Sequence, residues 1–307
     1  MDYILRTFGV SKKYHSNWVL KKVNMNIQRG DIYGFVGENG SGKTTIIRLI
    51  TGLISANEGD FELFGVSSKS SEIASVRKKV GAIVESPSIY RNMSARENLE
   101  MQSTILGKKD DEKIKQVLSD VGLSYVYDDK KAAANFSLGM RQRLGIAMAL
   151  LGDPEFIILD EPMNGLDPAG IVEIRELILK LNRERRITFL ISSHILTELS
   201  LVANKYGIIS RGTLIKEITA EEMENECRPT TIITTSNPQA LWSLASAEYP
   251  SEDIAQVAGG VRIVGVIDLN VLFGKILAAG IEILSVNCHK SSIESYYLSL
   301  LGGVHHA

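Results

Sequence analysis

The residues with the clearest chemical signature form a glycine-rich stretch over 37–45, which reads Gly-Glu-Asn-Gly-Ser-Gly-Lys-Thr-Thr. Its spacing, G-x-x-x-x-G-K-T, is that of a phosphate-binding loop (P-loop) and predicts a nucleoside triphosphate site. The glycines allow the backbone to turn several N–H groups towards a polyphosphate, and the start of a following helix adds the positive end of its dipole. Lys43 would reach the β- and γ-phosphates, and the Thr44 hydroxyl would bind Mg²⁺. The residues expected to contact the nucleotide here are Gly37, Asn39, Gly40, Ser41, Gly42, Lys43, Thr44 and Thr45.

Two carboxylates and a histidine follow apolar segments further along the chain. Asp160 and Glu161 come directly after the unbroken apolar run 156–159, which is typical of a strand buried on both faces of a parallel sheet. His194 comes after a second predicted strand of this kind, 187–192. In an open α/β sheet, ligands bind at the carboxyl ends of the strands. We therefore expect Asp160 to orient Mg²⁺ and Glu161 to polarise a water molecule aimed at the γ-phosphate. A lone histidine is more often structural, but His194 at this edge of the sheet shares a rim with the P-loop and Glu161.

The flanking sequence predicts the elements that would hold these residues. The P-loop lies between an apolar run of strand length, 31–36, and a helix whose apolar positions begin at Ile46. Further strands are predicted over 4–10, 19–28, 61–64, 79–84, 206–210 and 213–217. From its spacing alone, Tyr14 is interpreted as a packing residue at a strand end.

A helical segment separates the P-loop from the carboxylates. Ser94 and Glu97 form the signature of a capping box and open a helix. Asp110 starts a second helix, and Ser137 is placed to cap a third. A helix start is also an anion site, but taken alone Ser137 is interpreted as an ordinary cap. Asp167, followed by a proline, begins a later helix in the same way.

The last ninety or so residues differ in character. Strands are predicted over 230–235, 255–257, 261–266 and 281–286, and helices over 238–247, 268–279 and 292–301. Up to the last predicted strand, the order β-α-β-β-α-β matches the split βαβ pattern. The tripeptide 288–290, Cys-His-Lys, has no partner cluster, so this part is interpreted as a packing or regulatory module.

Composition narrows the function classes. The chain has 307 residues, enough for two domains, with 44% apolar and 23% charged residues. A net charge of −2 without a basic stretch argues against nucleic acid as a partner. The sequence contains no apolar run long enough to span a membrane and no signal peptide, and its two cysteines stand alone. These observations predict a cytoplasmic protein.

Together, these motifs closely resemble the nucleotide-binding subunit of ABC transporters, over residues 1 to about 217. Residues 37–45 match the Walker A motif of that family, 156–160 match its Walker B motif, and 164–167 resemble its D-loop. The resemblance implies an α/β fold: a P-loop NTPase domain of the ABC ATPase type over 1–217, with a helical subdomain at about 86–150. A small α+β domain of the split βαβ type would follow over 218–307.

The resemblance also implies roles for individual residues. Glu161 matches the catalytic carboxylate, and His194 matches the switch histidine that contacts the γ-phosphate in the family. Tyr14 matches the aromatic residue that stacks on adenine, which replaces its interpretation as a packing residue. Asp160 would help to hold Mg²⁺, and Asp167 at the end of the D-loop would lie near the nucleotide.

Two positions depart from the family pattern. The signature motif, L-S-G-G-Q in the family, is Phe-Ser-Leu-Gly-Met at 136–140. Ser137 and Gly139 are retained, and these supply the hydroxyl and the N–H that the family sets against the γ-phosphate bound by the other subunit. Where the family has a glutamine, this chain has Glu85, an acceptor that favours metal or water on the nucleotide side and basic residues on the side of a partner. Glu85 is therefore predicted to contact the nucleotide and its Mg²⁺.

Three segments resemble the bacitracin-resistance and lantibiotic-immunity branch of the family: the sequence around Glu85, residues 136–144, and the terminal Tyr-Tyr-Leu at 296–298. Members of that branch are ATPase subunits of separate membrane permeases that export peptide antibiotics. The resemblance implies ATP and Mg²⁺ as cofactors, a homodimer formed on ATP binding, an integral membrane permease as partner, and a location on the inner face of the cell membrane. Related exporters share much of this sequence, so an ATPase subunit for the export of a drug, a lipid or an ion is the first alternative function.

Two other classes of ATPase are further alternatives. A soluble ABC ATPase acting on ribosomes or DNA usually carries two cassettes or long coiled coils, whereas this chain has a single P-loop and no sustained heptads. A P-loop kinase or GTPase is disfavoured by the signature-like segment 137–139 and by His194.

Overall fold

The computed structural model describes residues 2–107, 109–289 and 292–302. The chain divides into two units, Met1–Ala220 and Glu221–Ala307. The division falls close to the expected boundary at 217, because the last strand of the first unit continues to Thr219. Each unit is described by itself.

The strands of the first unit are β1 (Tyr3–Tyr14), β2 (Asn17–Val23), β3 (Asn26–Gln28), β4 (Ile32–Val36), β5 (Glu58–Leu63), β6 (Val66–Ser67), β7 (Val80–Ile83), β8 (Phe156–Asp160), β9 (Thr188–Ser193), β10 (Lys205–Ser210) and β11 (Thr213–Thr219). Its helices are α1 (Lys43–Ile50), α2 (Ile73–Val76), α3 (Ala95–Ile105), α4 (Asp111–Asp120), α5 (Leu138–Leu150), α6 (Pro168–Arg185) and α7 (Leu196–Leu199). The helix α8 (Ala220–Glu226) crosses the division between the units.

A six-stranded sheet forms the centre of the first unit, in the order β11-β10-β4-β9-β8-β7. All neighbouring strands are parallel except β10 and β11, which form a hairpin. Every residue of β4, β8 and β9 is buried, as the apolar runs predicted. Because these three strands are neighbours, their carboxyl ends bring the P-loop, Asp160 and Ser193 to one edge of the sheet.

A second, antiparallel sheet has the order β2-β1-β5-β6, with β3 also paired to β1. The single strand predicted over 19–28 is wrong, since β2 and β3 are separate. Lys22 has a φ of 47°, and the Thr7 hydroxyl donates to the carbonyl of Val23 and accepts from the N–H of Met25. The Thr7 hydroxyl takes the place of backbone hydrogen bonds that a continuous strand would make with β1. The predicted strand is therefore interrupted between Val23 and Met25.

The helical segment contains α3, α4 and α5, which pack on one another. The capping box of α3 is present: the Ser94 hydroxyl accepts from the N–H of Glu97, whose carboxylate accepts from the N–H of Ser94. Asp110 caps α4, and Ser137 caps α5. The predicted helix starts are therefore confirmed.

The second unit contains β12 (Thr230–Thr235), α9 (Pro238–Glu248), β13 (Asp253–Val257), β14 (Gly260–Val264), α10 (Leu269–Ala278), β15 (Ile283–His289) and α11 (Ile293–Gly302). Its sheet has the order β13-β14-β12-β15 with all pairs antiparallel, which is the predicted split βαβ arrangement. Buried residues of α9 and α10, including Leu241 and Ile276, form a core with Ile233 and Val261 of the sheet. The lysine of the Cys-His-Lys tripeptide at 288–290 lies outside the described residues.

No helix within the described ranges combines the length and the apolarity needed to cross a membrane.

Candidate nucleotide-binding and hydrolysis site

The P-loop connects β4 to α1 and depends on its glycines at two positions. A Cβ on Gly37 would lie 2.4 Å from the carbonyl oxygen of Ile209. Gly42 has a φ of 112°, and a Cβ there would lie 2.6 Å from Cδ2 of Leu20. Because any larger residue would displace the backbone at these points, the loop can close tightly enough to turn its N–H groups inward.

Lys43 is the first residue of α1 and is 5% exposed. Its Nζ donates to the carbonyl oxygens of Gly37, at 2.6 Å, and of Glu38, at 3.2 Å. Nζ also lies 3.4 Å from Oε1 of Glu161. The ammonium group is thus held between the loop and the catalytic candidate, where a polyphosphate bound by the loop would meet it.

The other P-loop residues differ in exposure. Ser41 is 4% exposed, and its Oγ has no hydrogen-bond partner among the described residues. A buried hydroxyl of this kind fits a ligand that brings its own acceptor, such as a phosphate oxygen. Gly40 has a φ of 81° and is exposed, as is Asn39, whereas Thr45 is half-buried.

Asp160, at the end of β8, is 2% exposed and shares its two oxygens between two hydroxyls. Its Oδ2 accepts from Oγ1 of Thr44 at 2.8 Å, and its Oδ1 accepts from Oγ of Ser192. The carboxylate is therefore fixed directly against the P-loop helix. Both Thr44 and Asp160 belong to the predicted site, and the structure brings them together.

Glu161 follows Asp160 in a strained backbone conformation with a φ of 50°. The conformation is held by the N–H of Glu161, which donates to the carbonyl oxygen of Ser192 at 3.1 Å and to its Oγ at 3.0 Å. Oε2 of Glu161 lies 2.7 Å from Nδ1 of His194. The carboxylate thus lies between the ammonium of Lys43 and the imidazole of His194.

A small cavity of about 90 Å³ borders this group, lined by Glu161, Asn164, His194 and Glu198 among others. Burial raises the pKa of the Glu198 carboxyl, an effect that nearby His194 opposes and nearby Glu161 reinforces. Glu198 lies in the short helix α7 and was not among the residues predicted from the sequence.

Magnesium fits the donor set. A threonine hydroxyl and an aspartate carboxylate are hard oxygen ligands, and Mg²⁺ is usually bound by one or two protein oxygens together with phosphates and water. Among the described residues there is no cluster of three or more histidine, cysteine, aspartate or glutamate side chains that would form an all-protein metal site. Thr44 and Asp160 therefore suit an ion that arrives with a nucleotide.

Glu85, the third predicted metal contact, has a different partner. Its carboxylate accepts from Nη2 of Arg48, and its side chain is 62% exposed. No recorded contact links Glu85 to Thr44 or Asp160 in the part of the chain that the structure describes. Its contact with Mg²⁺ stays a prediction.

The remaining predicted residues lie on other elements. Tyr14 ends β1 and is 40% exposed, with Nζ of Lys12 5.4 Å from its ring centroid. The exposed ring of Tyr14 is available for stacking. Asp167 caps α6 by accepting from the N–H of Gly170.

The altered signature motif lies at the start of α5. The Ser137 hydroxyl accepts from the N–H of Met140, so that it caps the helix. The neighbouring Leu138 lies against the D-loop: a Cβ on Gly165 would be 3.3 Å from its Cδ2. A Cβ on Gly139 would likewise be 3.8 Å from Cδ2 of Leu166. The leucine that replaces a glycine of the family motif therefore packs within its own chain.

Ser192 is the main site residue that sequence analysis missed. It is fully buried and bonds both Asp160 and Glu161. The available signal was a serine in a run of apolar residues in β9, two residues before His194.

The P-loop next to a buried aspartate, a glutamate and a histidine at one sheet edge is the arrangement of an ATP-hydrolysing cassette. Comparison with known proteins agrees, since the family described as ABC transporter matches residues 20–164. The chain belongs to the ABC transporter ATP-binding proteins and is an ATPase of that family.

Two relatives match all or most of the chain. The bacitracin transport ATP-binding protein BcrA of Bacillus licheniformis is 40% identical over 99% of each chain. The lantibiotic transport ATP-binding protein SrtF of Streptococcus pyogenes is 40% identical over 222 residues, 72% of this chain and 93% of its own.

The fold also matches solved structures. An ATP-binding cassette of an ABC transporter in its ADP conformation has a TM-score of 0.66 and 28% identity, covering 73% of this chain and 94% of its own. The cbiO1 protein of Clostridium perfringens has the same TM-score at 24% identity and supports the fold alone.

Proposed function

We propose that this chain is the ATP-hydrolysing subunit of an exporter that removes a peptide antibiotic of the bacitracin or lantibiotic type through a separate membrane permease. The ATPase part is supported by one arrangement above all, the contact of Glu161 with both Lys43 and His194. The substrate class is supported by the full-length similarity to a bacitracin transport protein.

Hydrolysis would use Glu161 as the group that accepts a proton from the attacking water. Its strained backbone and its two bonds to Ser192 fix the carboxylate before the substrate binds, which limits the reorganisation that the reaction requires. Lys43 would neutralise charge on the β- and γ-phosphates, and His194 would hold the γ-phosphate through the ring nitrogen that does not face Glu161. Magnesium, held through Thr44 and Asp160, would supply further charge neutralisation.

The complete site would need two copies of the chain. Ser137 and Gly139 lie at the start of α5, where their recorded contacts are with Met140 and Leu166 and not with the P-loop of the same chain. A helix start with a hydroxyl and free N–H groups suits the γ-phosphate bound by a partner. We therefore propose that ATP binding brings two copies together, each closing the nucleotide site of the other.

The permease would bind a groove of about 390 Å³ between β7, α3 and α5, lined by residues such as Ile83, Pro87, Leu106 and Met148. Leu106 in the groove is 40% exposed, and the adjacent Ile105 at the end of α3 is 65% exposed. Exposed apolar residues beside a groove mark an interaction surface. Binding there would place the chain on the inner face of the cell membrane.

Purification of the chain from native membranes tests this proposal, with identification of the proteins that accompany it. A polytopic membrane protein, together with sensitivity of the host to a peptide antibiotic when the chain is deleted, is the expected result. Recovery with ribosomes or nucleic acid alone would contradict the transport function. An unchanged resistance to bacitracin and lantibiotics after deletion would contradict the substrate class and leave the other exporters as alternatives.

A further inference from the structure

The sheet of the second unit has two edge strands, β13 and β15, and only β13 is protected. An edge strand presents a row of backbone N–H and C=O groups to which another strand can bind. At β13, Nε1 of Trp242 in α9 donates to the carbonyl oxygen of Ile254 at 3.4 Å, so the helix is fastened to this strand. The same strand carries Asp253, which pairs with Arg262. A covering helix and a charged side chain are two of the features that keep an edge from pairing.

The other edge strand, β15, has neither feature. Its seven residues, 283–289, read Ile-Leu-Ser-Val-Asn-Cys-His and include no acidic residue, lysine, arginine or proline. Ile283 and Val286 are half-buried against the core, whereas the other five side chains are exposed with α11 in place. Among the described residues, β12 is the one strand that pairs with β15. The outer side of β15 is therefore an uncharged edge that is open to solvent.

Exposed leucines border this edge. Leu284 of β15 is 62% exposed, and Leu277 of α10 is 71% exposed. Since α9 packs mainly on β13 and β14, α10 lies on the side of β12 and β15. Lys275 of α10 pairs with Glu248 of α9, and at about 100° per residue Leu277 lies roughly 160° around the helix from Lys275. Leu277 therefore faces away from α9, towards the open edge, and gives that edge an apolar border.

The chemistry of the edge fits a second copy of the same strand. A two-fold axis through antiparallel strands sets the free N–H groups of one copy against the free C=O groups of the other. Because β15 carries no aspartate, glutamate, lysine or arginine, two copies meet without repulsion between like charges of these residues. An axis at Val286, the central residue, sets Ser285 against Asn287 of the partner subunit, and these side chains can form hydrogen bonds with each other. The exposed leucines of both copies would shield the new strand pair from water.

We propose that β15 is a dimerisation edge through which two copies of the chain pair antiparallel, joining their four-stranded sheets into one of eight strands. The contact involves no residue of the P-loop site, so it forms without nucleotide. It is separate from the ATP-dependent contact of Ser137 and Gly139 with a second P-loop, and it keeps two copies together while the nucleotide sites are empty. One strand pair with two leucines a side is smaller than a standard interface of about 1,600 Å², so the dissociation constant should lie in the micromolar range.

The test is sedimentation velocity of the full-length chain without nucleotide at about 1–100 μM, where a micromolar dimer dissociates on dilution. The unaltered chain should form a reversible dimer. The double-lysine variant, Ser285→Lys with Asn287→Lys, sets like charges opposite each other twice and should weaken the dimer by about 10-fold or more. The mixed variant, Ser285→Lys with Asn287→Glu, sets opposite charges across the antiparallel pair and should return the affinity to within about threefold.

Gln256→Lys is the matched control, because it adds a lysine at an exposed position of the protected edge strand β13 and should leave the dimer unchanged. Thermal unfolding establishes that each variant is folded. Amide hydrogen exchange of the unaltered chain is a second measurement that needs no variant. Protection over 283–289 should rise with protein concentration.

A monomer over the whole concentration range would overturn the inference, and so would a dimer that the double-lysine variant retains or that the mixed variant fails to restore. A dimer that forms only with ATP would support the proposed closure of the nucleotide sites and overturn the pairing through β15. Protection of 283–289 only in a complex with a membrane permease would show that another protein occupies the edge, which also overturns it. Failure of the chain to hydrolyse ATP would contradict the proposed function and leave the nucleotide-free dimer unaffected.

Discussion

Nδ1 of His194 and Oε2 of Glu161 are 2.7 Å apart, and this contact fixes the catalytic candidate against the imidazole. Glu161 directly follows β8, and His194 directly follows the neighbouring strand β9. The pairing leaves Oε1 of Glu161 facing Lys43. A carboxylate held on both sides in this way has a defined orientation towards the P-loop, which is what proton transfer from a water molecule requires.

Replacing Glu161 with glutamine should leave ATP binding intact and lower turnover by about 100-fold or more, because the amide keeps the shape but cannot accept the proton. Binding is measured by equilibrium titration with ATP and turnover by phosphate release. Glu176→Gln, at a surface position of α6 with a 66% exposed side chain, is the control and should have ordinary turnover. Near-normal hydrolysis by Glu161→Gln would contradict the assigned role.

Ser192→Ala should impair both folding and catalysis. The change leaves Oδ1 of Asp160 without its partner and removes one of two acceptors of the Glu161 N–H, at a cost of about 1–3 kcal/mol for buried unpaired groups. Turnover should fall by roughly 10-fold, because the catalytic carboxylate loses part of its support.

Thermal unfolding and steady-state kinetics provide the measurements for Ser192→Ala. Ser193→Ala is the neighbouring control, since the Ser193 hydroxyl accepts from the N–H of Ile195 and its recorded bond does not involve either carboxylate. If both serine variants lost the same turnover, Ser192 would have no special place in the site.

Tyr14→Ala should weaken ATP binding by about 5- to 100-fold, the range that corresponds to a base–aromatic stacking energy of about 1–3 kcal/mol. The turnover of bound ATP should change little, because the ring lies at the end of β1 and its recorded contact is with Lys12. Phe8→Ala removes another exposed aromatic side chain of the same strand and should leave the affinity unchanged. Equal losses in the two variants would point to a general effect on the sheet.

Stability should depend on pH through Glu155. Hydrogen bonds from Lys79 and then Arg29 lower the pKa of its carboxyl, against the raising effect of burial. A lowered pKa in the folded state stabilises the protein above the ordinary glutamate pKa of about 4.3, and this contribution is lost as the pH falls through that value and below it.

Glu155→Gln should therefore reduce the free energy of unfolding at pH 7 by less than about 1 kcal/mol, since both partners are partly exposed. The difference from the original chain should shrink towards zero near pH 3, as measured by urea unfolding at both values. A difference that stays constant across this range would show that the ion pairs are not its source.

Local patterns in the sequence were sufficient for much of the fold. The strand at 156–160 and the caps Ser94, Asp110 and Ser137 were predicted correctly, because each depends on residues within a few positions of one another. The break between β2 and β3 was not predicted, since it depends on the hydroxyl of Thr7, which is 18 positions away from Met25 in the chain.

The site shows the same limit. Thr44 and Asp160 were expected together because each belongs to a motif with a known place at the sheet edge, and they are in contact. Ser192 belongs to no motif, and its role in the site depends on hydrogen bonds to residues more than 30 positions earlier in the chain. The Arg48–Glu85 pair was likewise invisible, because nothing in the sequence relates a helix end to a loop 37 positions later.

In the second unit, the first strand and the last strand lie side by side, and Thr230 at the start of β12 is opposite His289 at the end of β15. The polypeptide therefore enters and leaves this sheet at the same point. Such a layout allows a whole module to be gained, lost or exchanged in one genetic recombination without rethreading the rest of the chain. The SrtF relative aligns over 222 residues, which is close to the length of the first unit.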